Sequence, residues 1–399
     1  MADLLTIDAA RELVLETVRP LGSEPVPLAE ARGRIVAAPV RADADVPPFA
    51  SSAMDGFAVP TGAEGVLRIT GESRAGHPFA GTVEPGSAVR ISTGAVVPAG
   101  TGAVVMVEST EERDGQVTVP ASPAGDHVRG AGEDIRAGTE VLTAGIEIGP
   151  AALGVLASIG RTTVDCVRRP RVALLATGDE LAPPGAGLEP GQIYSSNTPV
   201  LAAMVEAAGG QAVLGQDIPD TEAGTRAGLA DAVEHADVVC VTGGVSVGPH
   251  DHVKGAFAAL GIKERFWRVA LKPGKPTWFG VGESGGGRVW SFGLPGNPVS
   301  AVVTFVLFVR PALRALQGAP PRARRIQAEL THAVPRLEGR TQAVRCVVEA
   351  GAAGWRLTPN GPQGSHQLTS MLGAGALAFV PPGEGQVEAG EPVEAELLD

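Results

Sequence analysis

Three short apolar runs in the middle of the chain each end in a small, polar, glycine-rich loop. The runs lie at residues 172–176, 238–241 and 289–292, and the loops follow at 177–181, 242–248 and 293–298. Short apolar runs followed by helix starts predict parallel βαβ units, whose strands end at one edge of a sheet. Helix N-termini at that edge offer unpaired N–H groups, so the pattern predicts a crevice that binds phosphate or another oxyanion.

The same patterning predicts the helices and the β-rich regions. Thr6 is placed to cap a helix whose apolar positions recur through Val18 until Pro20, and a second helix is predicted from Pro150 to Gly160. Residues 45–134 alternate apolar and polar positions among frequent Gly and Pro, which predicts a β-rich insertion. Within a βαβ segment at 169–317, helices are expected at 198–208, 222–235, 250–260 and 298–316. Short β runs after residue 320 predict a small barrel or sandwich.

Composition narrows the classes of function. The chain has 399 residues and a formal net charge of −12, which opposes broad binding to nucleic acid or an anionic membrane, because either needs a basic face. Its three cysteines are far apart and lack metal-ligand spacing, so neither a disulfide framework nor a zinc site is indicated. No signal peptide is recognisable, and no apolar stretch approaches about 18 uninterrupted residues. We therefore expect a multidomain cytoplasmic protein.

Lysine is rare in this chain and clustered. There are four lysines against 28 arginines, and Lys272 and Lys275 share one loop between the second and third apolar runs. An ammonium is a compact point charge, whereas a guanidinium is a planar fork with several donors. The two lysines therefore indicate a site that requires a compact cation and that an arginine would not fit. For Lys254 and Lys263, chance clustering on the surface remains an open alternative.

The loop after the second run has the composition of a phosphate cradle. Gly243, Gly244 and Gly248 let backbone amides approach a ligand, and Ser246 adds a hydroxyl. A tight βα turn in which Asp251 caps the next helix is compatible with the same residues. The chain lacks the P-loop motif of nucleotide hydrolases and lacks a dinucleotide-binding fingerprint at the start of its βαβ segment.

Carboxylates near such a cradle predict a cation. Acidic groups beside a phosphate repel it unless a hard cation lies between them, so Glu180, Asp220 and Asp251 are candidate ligands for Mg²⁺ or a similar divalent ion. A capping or solvated role is equally open for each one alone. In the β insertion, Asp55, the hydroxyls near 91–94 and the charges near 129–135 could close the crevice if the insertion folds over it.

Seven motifs in this order resemble those of the MoeA family, the molybdopterin molybdenumtransferases related to the E domain of gephyrin. They lie at 52–57 (SAMDGF), 92–95 (STGA), 132–135 (GEDI), 177–181 (TGDEL), 243–248 (GGVSVG), 272–275 (KPGK) and 294–300 (LPGNPVS). Residues 364–366 resemble the family's C-terminal motif. The resemblance covers essentially the whole chain, and the combination is far more specific than any single motif.

The resemblance implies a homodimer of fold class α/β plus β, with four domains in each subunit. They are an elongated helical linker and dimerisation domain (1–44 and 135–168), an inserted β-rich domain (45–134), a doubly wound, molybdopterin-binding βαβ domain (169–317) and a C-terminal β-barrel (318–399). The implied cleft combines the βαβ domain of one subunit with the β insertion of the other. The implied reaction inserts molybdenum from molybdate into adenylylated molybdopterin and releases AMP, assisted by Mg²⁺ or a similar cation. The adenylylating enzyme and acceptor molybdoenzymes are implied as further partners.

The resemblance also implies site residues, most of which lie within these motifs. Catalytic contacts fall on Asp55, Thr93, Asp134, Glu180, Asp220 and Asp251, and the last three also serve as metal ligands. Substrate contacts fall on Arg129, Gly243, Gly244, Ser246, Gly248, Lys272, Lys275, Pro295, Gly296, Asn297, Ser300, Arg345 and Ser365. Ala50 and Phe57 depart from the family's polar residues, which places a contact from that strand in question.

Two alternatives accompany this hypothesis. The βαβ segment also resembles the domain that adenylylates molybdopterin, so the chain could transfer AMP instead; the β insertion and the tail favour insertion of molybdenum. A binding scaffold like gephyrin is the other alternative. Nothing in the chain resembles the extra N-terminal domain and linker that such scaffolds carry.

Overall fold

The computed structural model describes residues 4–245, 251–285, 287–321, 324–351 and 354–398, apart from the side chains of residues 214 and 216. The chain separates into two compact units. Unit 1 comprises Met1–Glu24, Gly33–Ala37 and Cys166–Asp399, and unit 2 comprises Pro25–Arg32 and Ala38–Asp165.

A six-stranded sheet forms the centre of unit 1. Its strands lie in the order Gln211–Ile218, Arg171–Thr177, Val238–Thr242, Gly287–Leu294, Trp278–Ser284 and Lys263–Trp267. The first four are parallel, which confirms the doubly wound domain. The expectation of βαβ units throughout is wrong for the last two strands, which are antiparallel to their neighbours. Only two residues separate Ser284 from Gly287, and so short a connection permits antiparallel pairing alone.

The helices of unit 1 lie close to their predicted positions. They are Ile7–Leu15, Asn197–Ala207, Glu222–His235, Val253–Ala259 and Pro298–Leu316. The Thr6 hydroxyl accepts a hydrogen bond from the Ala9 amide at 3.1 Å, which confirms the predicted cap. The predicted end at Val18 is wrong, because the amides of Thr17 and Val18 bond to carbonyls three residues back and the helix stops at Leu15.

Pro298–Leu316 is the central helix of the core. It is apolar and long enough to cross a membrane by composition, but 83% of its most apolar window is buried inside the protein. The helix packs with strand residues such as Val172 and Phe292 in one apolar cluster. Residues Phe305–Val309 form a π-helical turn within it. The burial identifies it as a core helix of a folded domain.

The C-terminal part of unit 1 is a closed five-stranded barrel, as predicted. Its strands follow one another in the order Thr341–Gly351, Gly354–Pro359, Arg325–Leu330, Pro392–Leu397 and Ala376–Val380, and the last pairs with the first. Leu330, Cys346 and Leu357 lie in its apolar interior. The short strand Leu271–Lys272 pairs with Thr341–Gln342 at the side of the barrel.

Unit 2 contains the predicted β insertion. Its six-stranded sheet has the order Ala103–Met106, Gly56–Val59, Ser87–Ile91, Gly65–Ser73, Gln116–Val119 and Glu111–Arg113. Phe57, Val105 and Val117 are buried in it. The helix predicted from Pro150 spans Pro150–Ser158 and is followed by Gly160 at φ +75°.

Short elements complete the structure. The strands are Ser23–Pro27, Val40–Arg41, Ser51–Ser52, Val128–Arg129, Glu140–Leu142, Thr163–Val167, Leu181–Ala182, Ile193–Tyr194, Val334–Pro335 and Gln386–Val387. The 3₁₀ turns are Leu28–Glu30, Val107–Ser109 and Leu368–Met371. The fold class expected from the sequence, α/β plus β with a C-terminal barrel, is confirmed.

Candidate active site

The strand order of the central sheet creates a crevice. Gln211–Ile218 and Val238–Thr242 lie on opposite sides of Arg171–Thr177, so the connections leaving these strands run in opposite directions. In open α/β sheets, ligands bind outside the carboxyl ends of the strands at such a switch point. The loops predicted from the sequence to bind an oxyanion follow these strands.

The loops after the three apolar runs are in contact. Gly243 has φ +88°, and a Cβ atom built on it would lie 2.6 Å from the Thr177 hydroxyl and 2.8 Å from the Thr177 carbonyl oxygen. Only glycine fits such a close approach without displacing the neighbouring backbone. The Gly243 amide donates to the Leu294 carbonyl at 3.1 Å. The three strand ends therefore form one continuous rim.

The third loop leads directly into the core helix. Gly296 and Asn297 are exposed whereas Pro295 is buried, and the Gly296 backbone lies beside Gly243. The side-chain amide of Asn197 donates to the Gly296 carbonyl at 2.7 Å and fixes this loop. We did not predict a role for Asn197; its signal in the sequence was the polar run at 195–198 before a predicted helix.

Ser300 and Ser365 lie at the first turn of the core helix. Ser300 is buried, and the Val299 amide donates to the Ser365 carbonyl at 3.1 Å. The segment of the family's C-terminal motif is therefore held against the helix N-terminus, where unpaired amides and the helix dipole favour an anion.

The lysine loop, residues 272–275, lies between the core helix and the barrel. A Cβ atom on Gly274, which has φ +120°, would lie 2.5 Å from the Thr304 methyl carbon in the helix. The Lys275 carbonyl accepts a hydrogen bond from the Val269 amide at 3.0 Å. Lys272 and Lys275 are exposed, so the loop backbone is fixed while both ammonium groups reach solvent.

The carboxylates follow the strands as expected, and part of the set lies close together. The Asp179 carboxylate accepts a hydrogen bond from the Asp220 amide at 3.2 Å, which joins the segments after the first two parallel strands. Glu180 is exposed and its carboxylate folds back over Gly178. Asp251 is half-buried, two residues before the helix Val253–Ala259.

The donor chemistry at this edge fits part of a magnesium site. Among the described residues, no three Asp, Glu, His or Cys side chains converge as a ready-made ligand set. Mg²⁺ is commonly held by one or two carboxylates together with substrate phosphates and water. Carboxylates beside an anion crevice therefore suit the protein's share of such a site.

Two predicted contacts lie outside the described residues. Ser246 and Gly248 belong to the segment 246–250. The described part of the glycine loop, residues 242–245, retains Gly243 and Gly244, both at positive φ. Their amides can approach a bound anion in the manner predicted for the loop.

The Arg345 side chain is buried and forms hydrogen bonds with other groups of the protein. Its side chain is 1% exposed, and its guanidinium donates to the Ser370 hydroxyl at 3.1 Å and to the carbonyls of Pro362, Gln363 and Gly364 at 3.2–3.3 Å. Burial lowers the pKa of this arginine. The guanidinium thus fixes the loop that leads into Ser365.

The predicted residues of unit 2 gather on neighbouring segments. The Asp55 carboxylate accepts a hydrogen bond from the Thr93 amide at 2.7 Å, and both side chains are exposed. Arg129 pairs with Ser51 in a short antiparallel ladder. Asp134 is exposed in a turn whose amide donates to the Val46 carbonyl at 3.1 Å.

A cavity of about 570 Å³ lies elsewhere in unit 1, between the start of helix Ile7–Leu15 and the barrel. Arg325 lines it and pairs with Asp8 at 2.8 Å and Glu394 at 2.5 Å. Because two carboxylates face one guanidinium here and none of the three predicted loops lines it, the cavity is a poorer candidate for an anionic substrate.

Fold and site together define a multidomain α/β protein with a crevice at the switch point of its sheet. Three family models match it: "MoeA N-terminal region (domain I and II)" at residues 5–160, "Probable molybdopterin binding domain" at 173–315 and "MoeA C-terminal region (domain IV)" at 327–398. The chain belongs to the MoeA family.

Individual relatives span almost the full length. The chain is 38% identical to the molybdopterin molybdenumtransferase of Haemophilus influenzae, with 98% of each chain covered. It is 36% identical to molybdopterin molybdenumtransferase 2 of Mycobacterium tuberculosis, over 96% of this chain and 97% of the relative. A crystal structure of the molybdopterin biosynthesis MoeA protein from Pyrococcus horikoshii superposes with a TM-score of 0.86 at 30% identity and full coverage of both chains.

Proposed function

We propose that this chain inserts molybdenum from molybdate into adenylylated molybdopterin and releases AMP, as a step of molybdenum cofactor biosynthesis. One observation carries the proposal: Gly243, directly after one parallel strand, contacts both Thr177 and Leu294 at the ends of the two neighbouring strands. Relatives that are named molybdopterin molybdenumtransferases and match over nearly the whole chain support the same reaction.

Two groups of residues in unit 1 each bind one of the two anions, phosphate and molybdate. The amides of Gly243 and Gly244 hold the phosphate of the adenylylated pterin, with Gly296 and Asn297 closing the rim. Lys272 and Lys275 neutralise molybdate, which as a compact dianion suits two point charges. Arg345 holds the 362–364 loop so that Ser365 stays against the core helix.

Glu180, Asp220 and Asp251 supply the protein ligands of a divalent cation, which we take to be Mg²⁺. When bound, such an ion neutralises phosphate charge and so assists departure of AMP. Asp55, Thr93, Asp134 and Arg129 of unit 2 are proposed to serve the same reaction. The hydrogen bond between Asp55 and the Thr93 amide supports a shared role for these two residues.

We further propose a cytoplasmic homodimer with the domain boundaries expected from the sequence. All three cysteines, Cys166, Cys240 and Cys346, are buried free thiols, which suits a reducing compartment. Light scattering of the purified chain tests the dimer directly, and a mass of 40.4 kDa would contradict it.

The reaction is tested with purified protein, adenylylated molybdopterin, Mg²⁺ and molybdate. We expect AMP to appear in step with molybdenum bound to the pterin, and both to depend on molybdate. AMP release without bound metal would contradict insertion. A parallel incubation with molybdopterin and Mg-ATP tests the other reaction, and adenylylated pterin as its product would identify an adenylyltransferase instead.

A further inference from the structure

Two cations lie over the ring of Trp267. The Lys254 Nζ is 3.1 Å and the Arg268 Cζ is 3.9 Å from the centroid of its ring. Both distances are within the range of cation–π attraction. Within the described parts of the chain, neither Lys254 nor Arg268 forms an ion pair with a carboxylate. The ring therefore carries two cations whose charges no described side chain neutralises.

The polar edge of the same ring contacts the glycine loop. The Trp267 Nε1–H group donates to the Val245 carbonyl at 3.1 Å. Val245 is 2% exposed and directly follows the two glycines at positive φ. This hydrogen bond fixes the carbonyl at the end of residues 242–245.

The backbone that follows Trp267 contacts the lysine loop. The Arg268 amide donates to the Thr277 carbonyl at 2.8 Å, and the Val269 amide donates to the Lys275 carbonyl at 3.0 Å. Arg268 adopts φ +74°, a left-handed conformation that glycine would adopt without strain. The backbone conformation at this position therefore favours glycine over arginine. The contact of the guanidinium with the Trp267 ring explains why an arginine stands here.

We infer that Trp267 is a positioning residue that holds residues 242–245 of the glycine loop and the lysine loop at a fixed separation. The inference rests on the proposed function, in which one loop binds phosphate and the other binds molybdate. If the separation is what Trp267 maintains, its loss affects the step that needs both anions aligned and leaves the binding of each anion alone intact. Its cations stabilise the ring in the orientation that directs Nε1–H to Val245.

The test compares Trp267→Phe with Trp290→Phe. Both variants lose one indole N–H hydrogen bond of 3.1 Å, but Trp290 donates to the Thr17 hydroxyl, far from the loops in the same sheet. We expect Trp267→Phe to lower the kcat of AMP release about tenfold, because loops that are no longer held at the right separation stabilise the transition state less, by about the free energy of one hydrogen bond. Calorimetric Kd values for AMP alone and for molybdate alone should stay within about twofold of wild type. Trp290→Phe should leave kcat unchanged.

Arg268→Gly provides a second variant that does not depend on tolerance of Trp267→Phe. Glycine suits φ +74°, so the melting temperature should be unchanged or higher, while turnover falls because one cation leaves the ring. Unchanged turnover in Arg268→Gly, or equal losses in Trp267→Phe and Trp290→Phe, would overturn the inference. Wild-type protein that releases no AMP would instead refute the proposed function and this inference with it.

Discussion

Arg11 and Glu396, 385 residues apart in the sequence, form a buried ion pair. The Arg11 Nη2 atom lies 2.8 Å from the Glu396 Oε2 atom, and their side chains are 3% and 1% exposed. Arg310 binds the other carboxylate oxygen at 3.1 Å. Arg11 also donates through Nε to the Leu307 carbonyl at 3.0 Å, within the π-helical turn of the core helix. One carboxylate thus joins the N-terminal helix, the core helix and the last barrel strand.

Glu396→Gln should destabilise the protein by about 3–5 kcal/mol, because it leaves the buried Arg11 guanidinium with only the exposed and more distant Asp8 carboxylate, at 3.9 Å. Urea denaturation gives the free energy of unfolding. The matched control is Glu394→Gln on the same strand, since Glu394 is 39% exposed and its pair with Arg325 should contribute about 1 kcal/mol or less. Equal effects of the two substitutions would contradict the role of burial.

Asp251→Asn should reduce molybdenum transfer at least about a hundredfold, because a neutral amide is a poor ligand for a hard cation. Its effect on the free energy of unfolding should stay below about 1 kcal/mol, since the residue is only half-buried. Turnover assays at several Mg²⁺ concentrations measure the first effect and urea titration the second. Asp231→Asn, on the surface of helix Glu222–His235, serves as the control. Losses of activity and stability in equal measure would refute a ligand role.

Lys275→Ala should raise the KM for molybdate about tenfold, because one of the two point charges proposed to bind the anion is lost. Lys275→Arg restores the charge without the compact shape, so we expect only partial recovery. Initial rates of AMP release over a range of molybdate concentrations measure both. Lys263→Ala removes an exposed lysine from the edge strand and should leave the KM unchanged. A rise in KM for both alanine variants would point to a general charge effect.

Alkaline pH should destabilise the barrel through Cys346. Burial raises the pKa of this thiol to about 12 from its ordinary value of 9.0. The folded state holds the proton more tightly than the unfolded chain, so this stability is fully present below pH 9 and is lost as the pH rises toward 12. Cys346→Ala should remove up to about 1.4 kcal/mol of this loss per pH unit. Urea titrations of both proteins at pH 8, 9, 10 and 11 measure it, and parallel curves would contradict the assignment.

Local patterns predicted the elements and the crevice. The Thr6 cap and the helix Glu222–His235 could each be predicted, because each depends on side chains that lie within a few residues of one another in the sequence. The contact of Gly243 with Thr177 follows from parallel topology, which brings strand ends together, and from the glycine, which permits the close approach.

Contacts between segments that are distant in the sequence were not predicted. The bond from Trp267 to Val245 spans 22 residues and depends on the antiparallel edge strands, whose order the apolar runs do not encode. The resemblance implies a role for Arg345, yet its burial and its four side-chain hydrogen bonds depend on how the barrel folds around it. The sequence shows that an arginine stands at this position, but not which oxygen atoms accept hydrogen bonds from its guanidinium.

The barrel closes into a ring only through its last strand in the sequence. Pro392–Leu397 fills the gap between Arg325–Leu330 and Ala376–Val380, and Leu271–Lys272 leans on Thr341–Gln342 of the same ring. Without Pro392–Leu397, two strands have unpaired edges and the short strand that carries Lys272 pairs with an open ring. We therefore expect a chain that ends before residue 392 to contain every proposed reactive group and yet to lose activity.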